Sequence, residues 1–286
     1  MSMKVIYRKL LAFAVKVFGV PFSKKVDALV RFRRKINLKK PVTLADKLCY
    51  LELFTDNPLK VSCTDKYQVR EYVAGKGHSD ILVPLCHETC SDVNEINFDA
   101  LPQSFAMKAT HGCGMNLICA DKSALTEDQV RATAERWLKE DYHRACIEPH
   151  YLKIPHRIIF EEFLMDSDQI VDYKIFCFHG QPNFVEVCSN RASGLKIHVY
   201  TLDWEPLDVV VSKKKSDRPI PRPKQLERMI EISRQLSADF DFVRVDLYEI
   251  HDKIYFGELT FSPAAGVLPS FTPQFVAQKG ALLQLP

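Results

Sequence analysis

Near its C-terminal end the chain reads FVRVDLYEIHDKIYFGELTFSPAAG, two runs from Val243 to Ile250 and from Lys253 to Phe261 separated only by His251-Asp252. Period-2 alternation marks each run as a strand, and so short a separation forces the two to pair antiparallel. Val243, Val245 and Leu247 then share one face, Arg244 and Asp246 share the other, and Glu258 and Thr260 lie together on the return strand. This hairpin constrains the fold more than any other segment, because a ribbon with one apolar face must be covered by another layer. It also carries chemistry. Two carboxylates on adjacent strands, with an arginine two residues before the first, can hold a hard divalent ion such as Mg²⁺ and leave room for phosphate oxygens. The same residues also suit a cross-strand Arg–Glu pair on a wetted sheet face. An acid set in GELTFSP, among apolar residues and before a Ser-Pro-Ala-Ala-Gly loop, is costly to place with nothing to bind.

The remaining chain alternates helix and strand signals. DKYQVREYVA (Asp65 to Ala74) reads as a helix with Val69 and Tyr72 inward, ended by Gly75 and Gly77. Phe105 to Ala109 reads as a strand leading through HGCGMN into a second strand, Leu117 to Ala120. Thr126 to Lys139 opens with a T-x-x-Q capping box and carries Val130, Ala134, Trp137 and Leu138 at helical spacing. RIIFEEFL (Arg157 to Leu164), YKIFCF (Tyr173 to Phe178) and Gln181 to Val187 are strand-like, and Pro223 to Ala238 is helical. Helices and antiparallel hairpins in mixed order indicate an α+β fold.

Three further places could act. Lys108 sits just inside a strand and HGCGMN (His111 to Asn116) just after it, so amides at Gly112 and Gly114 can curl over phosphate oxygens while the ammonium meets them. The loop matches neither a P-loop nor a Rossmann turn, and by itself it reads as a hairpin turn. Glu161 and Glu162 lie in an apolar strand, so one must face each way, either toward a sugar hydroxyl or as an edge-strand charge. Lys174, in DYKIF, either meets a phosphate or snorkels from its strand. The nine cysteines are an odd number without a C-x-x-C pair, which suits reduced thiols. Cys86, His87 and Cys90 have no partner cluster that would complete a zinc site.

Charge is distributed unevenly. Residues 1–40 hold twelve Lys or Arg and one acid, Asp27, so this segment is +11 although the whole chain is +3. Ile6, Leu10, Phe13 and Val17 fall in one arc of a helical wheel, with Lys4, Arg8, Lys9 and Lys16 on the other side. Such a helix can lie in the interface of an anionic membrane, or pack on a core with its basic face in water. Nucleic acid is a weaker partner, since no aromatic-interleaved recognition module follows. Lys16 interrupts the apolar stretch and no small-residue cleavage site follows, unlike a secretory signal.

In this order, DKYQVREYV, LPQSFAMKATHGCGMN, RIIFEEFL, DYKIFCFHGQP and FVRVDLYEIHDKIYFGELTFSPAAG resemble the TupA-like branch of the ATP-grasp superfamily, associated with teichuronopeptide, capsule and other surface polysaccharide biosynthesis. The resemblance runs from about Leu44 to Leu283. It implies two α+β subdomains with ATP between them, preceded here by the basic amphipathic helix. Segment 1–40 would be that helix region, 41–164 the N-terminal and lid-bearing subdomains, and 165–286 the C-terminal subdomain with the metal site. By resemblance, Lys108 and Lys174 are the nucleotide lysines, with His111, Gly112, Gly114 and Asn116 in the lid over the triphosphate. Glu161, Glu162, Phe163 and Leu164 are the hinge at adenine and ribose. Asp246, Glu258 and Thr260 carry Mg²⁺, and Arg244, with Lys174, acts on the acylphosphate. Where the wider superfamily closes its metal site with E-x-N, this chain has Glu258-Leu259-Thr260, and a threonine hydroxyl is a weaker ligand than an amide carbonyl.

The implied activity is an ATP- and Mg²⁺-dependent carboxylate–amine ligase. Its substrates would be a uronic acid carboxylate on a glycan or lipid-linked precursor and an amino acid or amine, with Arg191 a candidate for holding the acidic partner. A cytoplasmic protein, peripheral at the inner face of the membrane, fits that chemistry. A glycosyltransferase, a label often attached to this branch, would need a nucleotide-sugar and a D-x-D-like metal motif. A non-catalytic scaffold would have no physical reason to keep both lysines, both acids and the arginine.

Overall fold

The structure is a computed structural model that describes residues 3–142, 147–164, 171–189, 195–216 and 218–286. The chain forms two compact units, each discontinuous in sequence. The first comprises Met1–Asn57, Arg144–Pro149 and Asp168–Pro286, the second Pro58–His143 and His150–Ser167. Residues 41–57, grouped by sequence with the segment up to 164, thus belong to the unit that holds the C-terminal sheet.

The first unit opens with α1 (Met3–Phe18) and α2 (Val20–Phe32), which meet at Gly19 with φ +79°. Next comes α3 (Leu44–Phe54), whose capping box pairs the Thr43 side chain with the Asp46 amide and the Asp46 side chain with the Thr43 amide. The chain then builds the second unit from α4 (Pro58–Thr64), α5 (Val69–Gly75), β1 (Leu85–Cys90), β2 (Phe105–Ala109), β3 (Asn116–Cys119), α6 (Glu127–Lys139) and β4 (Ile158–Glu162). Its four strands pair antiparallel in the order β1-β4-β2-β3. Thr126 caps α6 with the expected box, its hydroxyl accepting from the Gln129 amide. α6 buries Val130, Ala134 and Trp137 with Phe105, Met107, Ile158 and Phe160 of the sheet in one apolar cluster.

The first unit resumes with β5 (Asp172–Phe178), β6 (Gln181–Ser189) and β7 (Lys196–Thr201), followed by α7 (Leu226–Ser237), β8 (Phe242–Ile250), β9 (Lys253–Thr260) and α8 (Pro273–Gly280). The five strands form an antiparallel sheet ordered β7-β6-β5-β8-β9. Both residues of the expected His251-Asp252 turn have positive φ, +49° and +60°, the backbone hand that matches the twist of a two-residue hairpin. α7 packs on this sheet with Met229, Ile232 and Leu236 buried, while Phe176, Phe178, Phe184 and Phe242 join Leu44, Leu48, Phe271 and Phe275 in a cluster with α3 and α8. All seven residues of β5 are buried, so its sequence shows an apolar run in place of alternation.

Candidate active site

In the first unit the strands align one charged residue from each of four neighbours. Glu186 of β6 pairs in register with Lys174 of β5, Lys174 with Asp246 of β8, and Asp246 with Glu258 of β9. On that face Arg244 donates twice to Asp246, Nε to Oδ1 at 2.6 Å and Nη2 to Oδ2 at 2.7 Å. Lys174 Nζ donates to the same Oδ2 and stands 3.9 Å from Asp172 Oδ2. Arg244 Nη2 also reaches Thr260 Oγ1 at 3.1 Å and Glu258 Oε1 at 3.4 Å, and the Thr260 hydroxyl donates to Glu258 Oε1 at 2.9 Å. Asp172, Lys174, Glu186 and Asp246 are buried, whereas the Glu258 side chain keeps 38% exposure. Five of the residues expected from sequence, Lys174, Arg244, Asp246, Glu258 and Thr260, are thereby brought together.

A β-bulge makes the convergence possible. Asp246 pairs with Glu258 but Leu247 pairs with Phe256, leaving Gly257 as the extra residue on β9. Ile254 and Phe256 are buried, and simple alternation from them would send Glu258 into the core beside them; past the bulge Leu259 takes the buried side and Glu258 turns to the charged face. A Cβ at position 257 would stand 3.0 Å from both the Asp246 carbonyl oxygen and the Tyr248 ring, so glycine is required by close approach.

The electrostatics follow from the pairing. Burial alone would push the Asp246 carboxyl up, but the Arg244 guanidinium and Lys174 ammonium overcome it and hold the group below the usual carboxylate range. Burial works against the Arg244 charge too, and Asp246 reverses that and raises it. Cys188, whose thiol donates to Glu186 Oε1 at 3.6 Å, is pushed up to about 12 by burial and by that carboxylate, so it stays a thiol.

The second unit holds the other expected residues. Lys108 Nζ donates to Glu161 Oε2, and Arg70 Nη1 lies 3.9 Å from Glu161 Oε1. Glu161 is buried and Glu162 exposed, so the pair faces opposite ways as alternation requires. Phe163 and Leu164 follow β4, half-buried. The HGCGMN loop joins β2 to β3 as a hairpin, with Asn116 opposite Lys108. Its two glycines differ in setting. A Cβ on Gly112 would stand 2.9 Å from Met115 Sδ and 3.2 Å from the Tyr142 ring, whereas Gly114 has φ +74°. Lys66 donates to the Gly112 carbonyl and ties down one side of the loop.

His111 stands apart from the other loop residues. Its buried ring stacks on His156 at 3.7 Å and places Nε2 3.0 Å from the Trp137 carbonyl at the end of α6. Burial first, and the neighbouring His156 second, lower its pKa to about 4, so it anchors the loop as a neutral ring. Sequence reading overlooked Arg70, Lys66, Asp172 and Glu186. The signal for two of them was present, since Asp172 shares the strand parity of Lys174 and Glu186 lies between Phe184 and Cys188 on the same parity. Arg191 lies outside the described residues. Cys86, His87 and Cys90 form no metal cluster, and among the described residues no group of three or more His, Cys, Asp or Glu is arranged to hold one.

The sequence matches the family described as TupA-like ATPgrasp over residues 46–282. The chain belongs to the TupA-like ATP-grasp family. Membership places it among the ATP-grasp proteins. Among solved structures it is similar to the D-alanine–D-alanine ligase of Helicobacter pylori, at 14% identity and TM-score 0.47, covering 86% of this chain and 67% of that one. It is also similar to the D-alanine–D-alanine ligase of Bacillus anthracis complexed with ATP, at 15% identity and TM-score 0.42, covering 77% and 65%. For D-cycloserine synthetase DcsG the values are 15%, 0.45, 79% and 71%. The chain thus spans about two thirds of the length of these ligases. No curated protein matches the sequence.

The donor set suits Mg²⁺. Asp246 and Glu258 are hard oxygen donors opposite each other on adjacent strands, with the Thr260 hydroxyl beside them. Counted formally, four carboxylates (Asp172, Glu186, Asp246, Glu258) face two cations (Lys174, Arg244), an excess of two negative charges on one sheet face. A divalent cation at the more exposed Glu258 would balance that excess.

Proposed function

We propose that this family member is a carboxylate–amine ligase that works through an acylphosphate and joins an amino acid or amine to a uronic acid carboxylate in surface polysaccharide biosynthesis. The observation that carries the reading is the alignment of Lys174, Arg244 and Asp246 on one buried sheet face with Glu258 at its edge. In the reaction the substrate carboxylate attacks the γ-phosphorus of ATP and ADP leaves. The amine then attacks the acyl carbon, phosphate leaves, and the amine gives up its proton. Mg²⁺ held by Asp246, Glu258 and Thr260 would offset negative charge on the phosphate oxygens.

Lys174 and Arg244 supply preorganised positive charge where phosphoryl oxygens accumulate charge, and the acids around them fix that charge in place before substrate arrives. In the other unit Lys108, oriented by Glu161, is the second nucleotide lysine in this reading. HGCGMN offers the amides of Gly112 and Gly114 to the triphosphate, with Asn116 beside them, and Glu161 to Leu164 meet adenine and ribose. His111, expected beside them, supports that loop through its bond to the Trp137 carbonyl. A lipid-linked acidic sugar precursor, met by a cytoplasmic protein at the inner face of the membrane, fits both the ligase and the cationic N-terminal segment.

Glycosyl transfer stays a competing outcome, because D-x-D spacing does occur, at Asp166-Ser167-Asp168 and Asp239-Phe240-Asp241. The first lies outside the described residues, and in the second Asp241 is half-exposed and 3.5 Å from His179. Calorimetric titration separates the two readings. Binding of a non-hydrolysable ATP analogue that needs Mg²⁺ and is lost in Asp246→Asn is expected. Binding of a nucleotide-sugar alone would overturn the ligase.

A further inference from the structure

The apolar arc of α1 is not used by the fold. α1 packs on α2 through Leu11, which is buried, and through Tyr7, whose hydroxyl donates to Asp27 Oδ1 at 2.9 Å. Asp27 also meets Arg31 Nε at 2.9 Å, and Lys24, fully buried on the same helix, donates to the Ile147 carbonyl at 3.1 Å. α2 is therefore tied to the rest of the first unit by the buried Lys24 bond, and α1 is held on α2 by one side. On another side Ile6, Leu10, Phe13 and Val17 are 42% to 62% exposed. At the Gly19 bend the stripe continues into Phe18 and Phe22, both more than half exposed, with ring centroids 5.2 Å apart. Leaving that much contiguous apolar surface in water is unfavourable for a soluble domain.

Charge decides what covers it. The first forty residues carry eleven net positive charges, and their single acid, Asp27, is buried among its partners and adds nothing to the outer surface. Lys16, Arg33, Lys35, Lys39 and Lys40 are exposed. A second copy of this face would bring cations against cations, and a nucleic acid would satisfy the charges while leaving the aromatic and aliphatic stripe wet. An anionic bilayer satisfies both, with apolar side chains among the acyl chains and lysines at the headgroups. α1, at 16 residues, is too short to span a bilayer, and no described helix is long and apolar enough to do so; it fits in the plane of the interface. We infer that the α1–α2 hairpin is a docking element for anionic phospholipid membranes, inserting Ile6, Leu10, Phe13, Val17, Phe18 and Phe22 while α2 holds the first unit at the surface. This assignment does not depend on the ligase reaction.

Flotation of the full chain with phosphatidylcholine vesicles, alone or with about 30% phosphatidylglycerol, tests it. The wild type should float with the anionic vesicles only and detach in roughly 0.5 M salt. Leu10→Asp with Phe13→Asp, and separately Lys35→Glu with Lys39→Glu and Lys40→Glu, should each lower partitioning at least about tenfold with unchanged melting temperature, since these side chains are exposed. In Phe13→Trp, emission should shift to the blue when anionic vesicles are added. Equal flotation with neutral vesicles, or wild-type partitioning of the Leu10/Phe13 variant, would overturn the inference. So would a dimer by analytical ultracentrifugation that the same variant disperses, with no vesicle binding by the wild type.

Discussion

Replacing Arg244 by methionine isolates the energetics of the charged row. The change removes two short bonds to Asp246 and the contacts with Thr260 and Glu258, while the methionine keeps most of the buried volume. The formal excess on that face grows from two to three negative charges with Lys174 as the remaining cation. Losing one member of a buried ion pair costs on the order of 3–5 kcal/mol, and because Lys174 still donates to Asp246 the low end, about 3 kcal/mol, is expected. For a unit of this size that is a fall in Tm of roughly 6–12 °C. Adding Asp246→Asn should restore part of the loss, since the unpaired charge is removed while the amide oxygen can still accept from Lys174. The pH dependence follows from Asp246, whose folded pKa is depressed. Its stabilisation is present above the unfolded value and is lost as pH falls through the folded one, so the deficit of Arg244→Met should shrink in acid below about pH 4. Urea titrations of wild type, single and double variants at neutral and acidic pH provide the readout. A loss under about 1 kcal/mol, or no rescue by the second change, would mean that the row is screened by water and that its positive charge is not preorganised.

The other unit offers three further tests. His111 is neutral when folded, with a pKa near 4 against about 6.5 unfolded; the unfolded chain therefore binds more protons between those values, and stability falls by up to about 3 kcal/mol as pH drops across them. His111→Phe should flatten that slope in thermal denaturation followed from pH 7 to 4. Gly114→Ala should cost about 1 kcal/mol through its left-handed backbone, with Gly114→Asn costing less, as differential scanning fluorimetry would show. Thr126→Ala should cost about 1 kcal/mol in chemical denaturation by uncapping α6.

Local rules in the sequence were legible where one signal acts alone. The Thr126 box, the β2–β3 hairpin with its glycine tip and the closing hairpin all stand at or within two residues of where the pattern placed them. Elements whose patterns are set by tertiary burial were not. β1 reads LCHETC, with half-buried residues along most of its length, and β7 reads KIHVYT, whose burial does not alternate cleanly. α3 carries an apolar sequence around most of its circumference because it lies between α8 and the loop after β9, so no polar face marks it. Within the site, Lys174, Arg244 and Asp246 were visible as charges in apolar strands. Glu186 was overlooked because its partner lies on a neighbouring strand whose register is a tertiary property, and Arg70 because it reads as an ordinary helical surface residue until Glu161 is placed beside it.

The bulge at Gly257 turns the last strand into a counting device. The turn at His251-Asp252 and the core residues Ile254 and Phe256 fix its phase from one end, and Leu259 and Phe261 fix it from the other. Because the two phases differ by one step, loss or gain of a single residue between Phe256 and Leu259 would exchange the fates of neighbouring side chains, hiding a carboxylate and presenting a leucine where the acid had been. Length variation in this region is therefore expected in the turn and in the segment after Phe261, while the stretch from Ile254 to Thr260 keeps its spacing even where its residues differ.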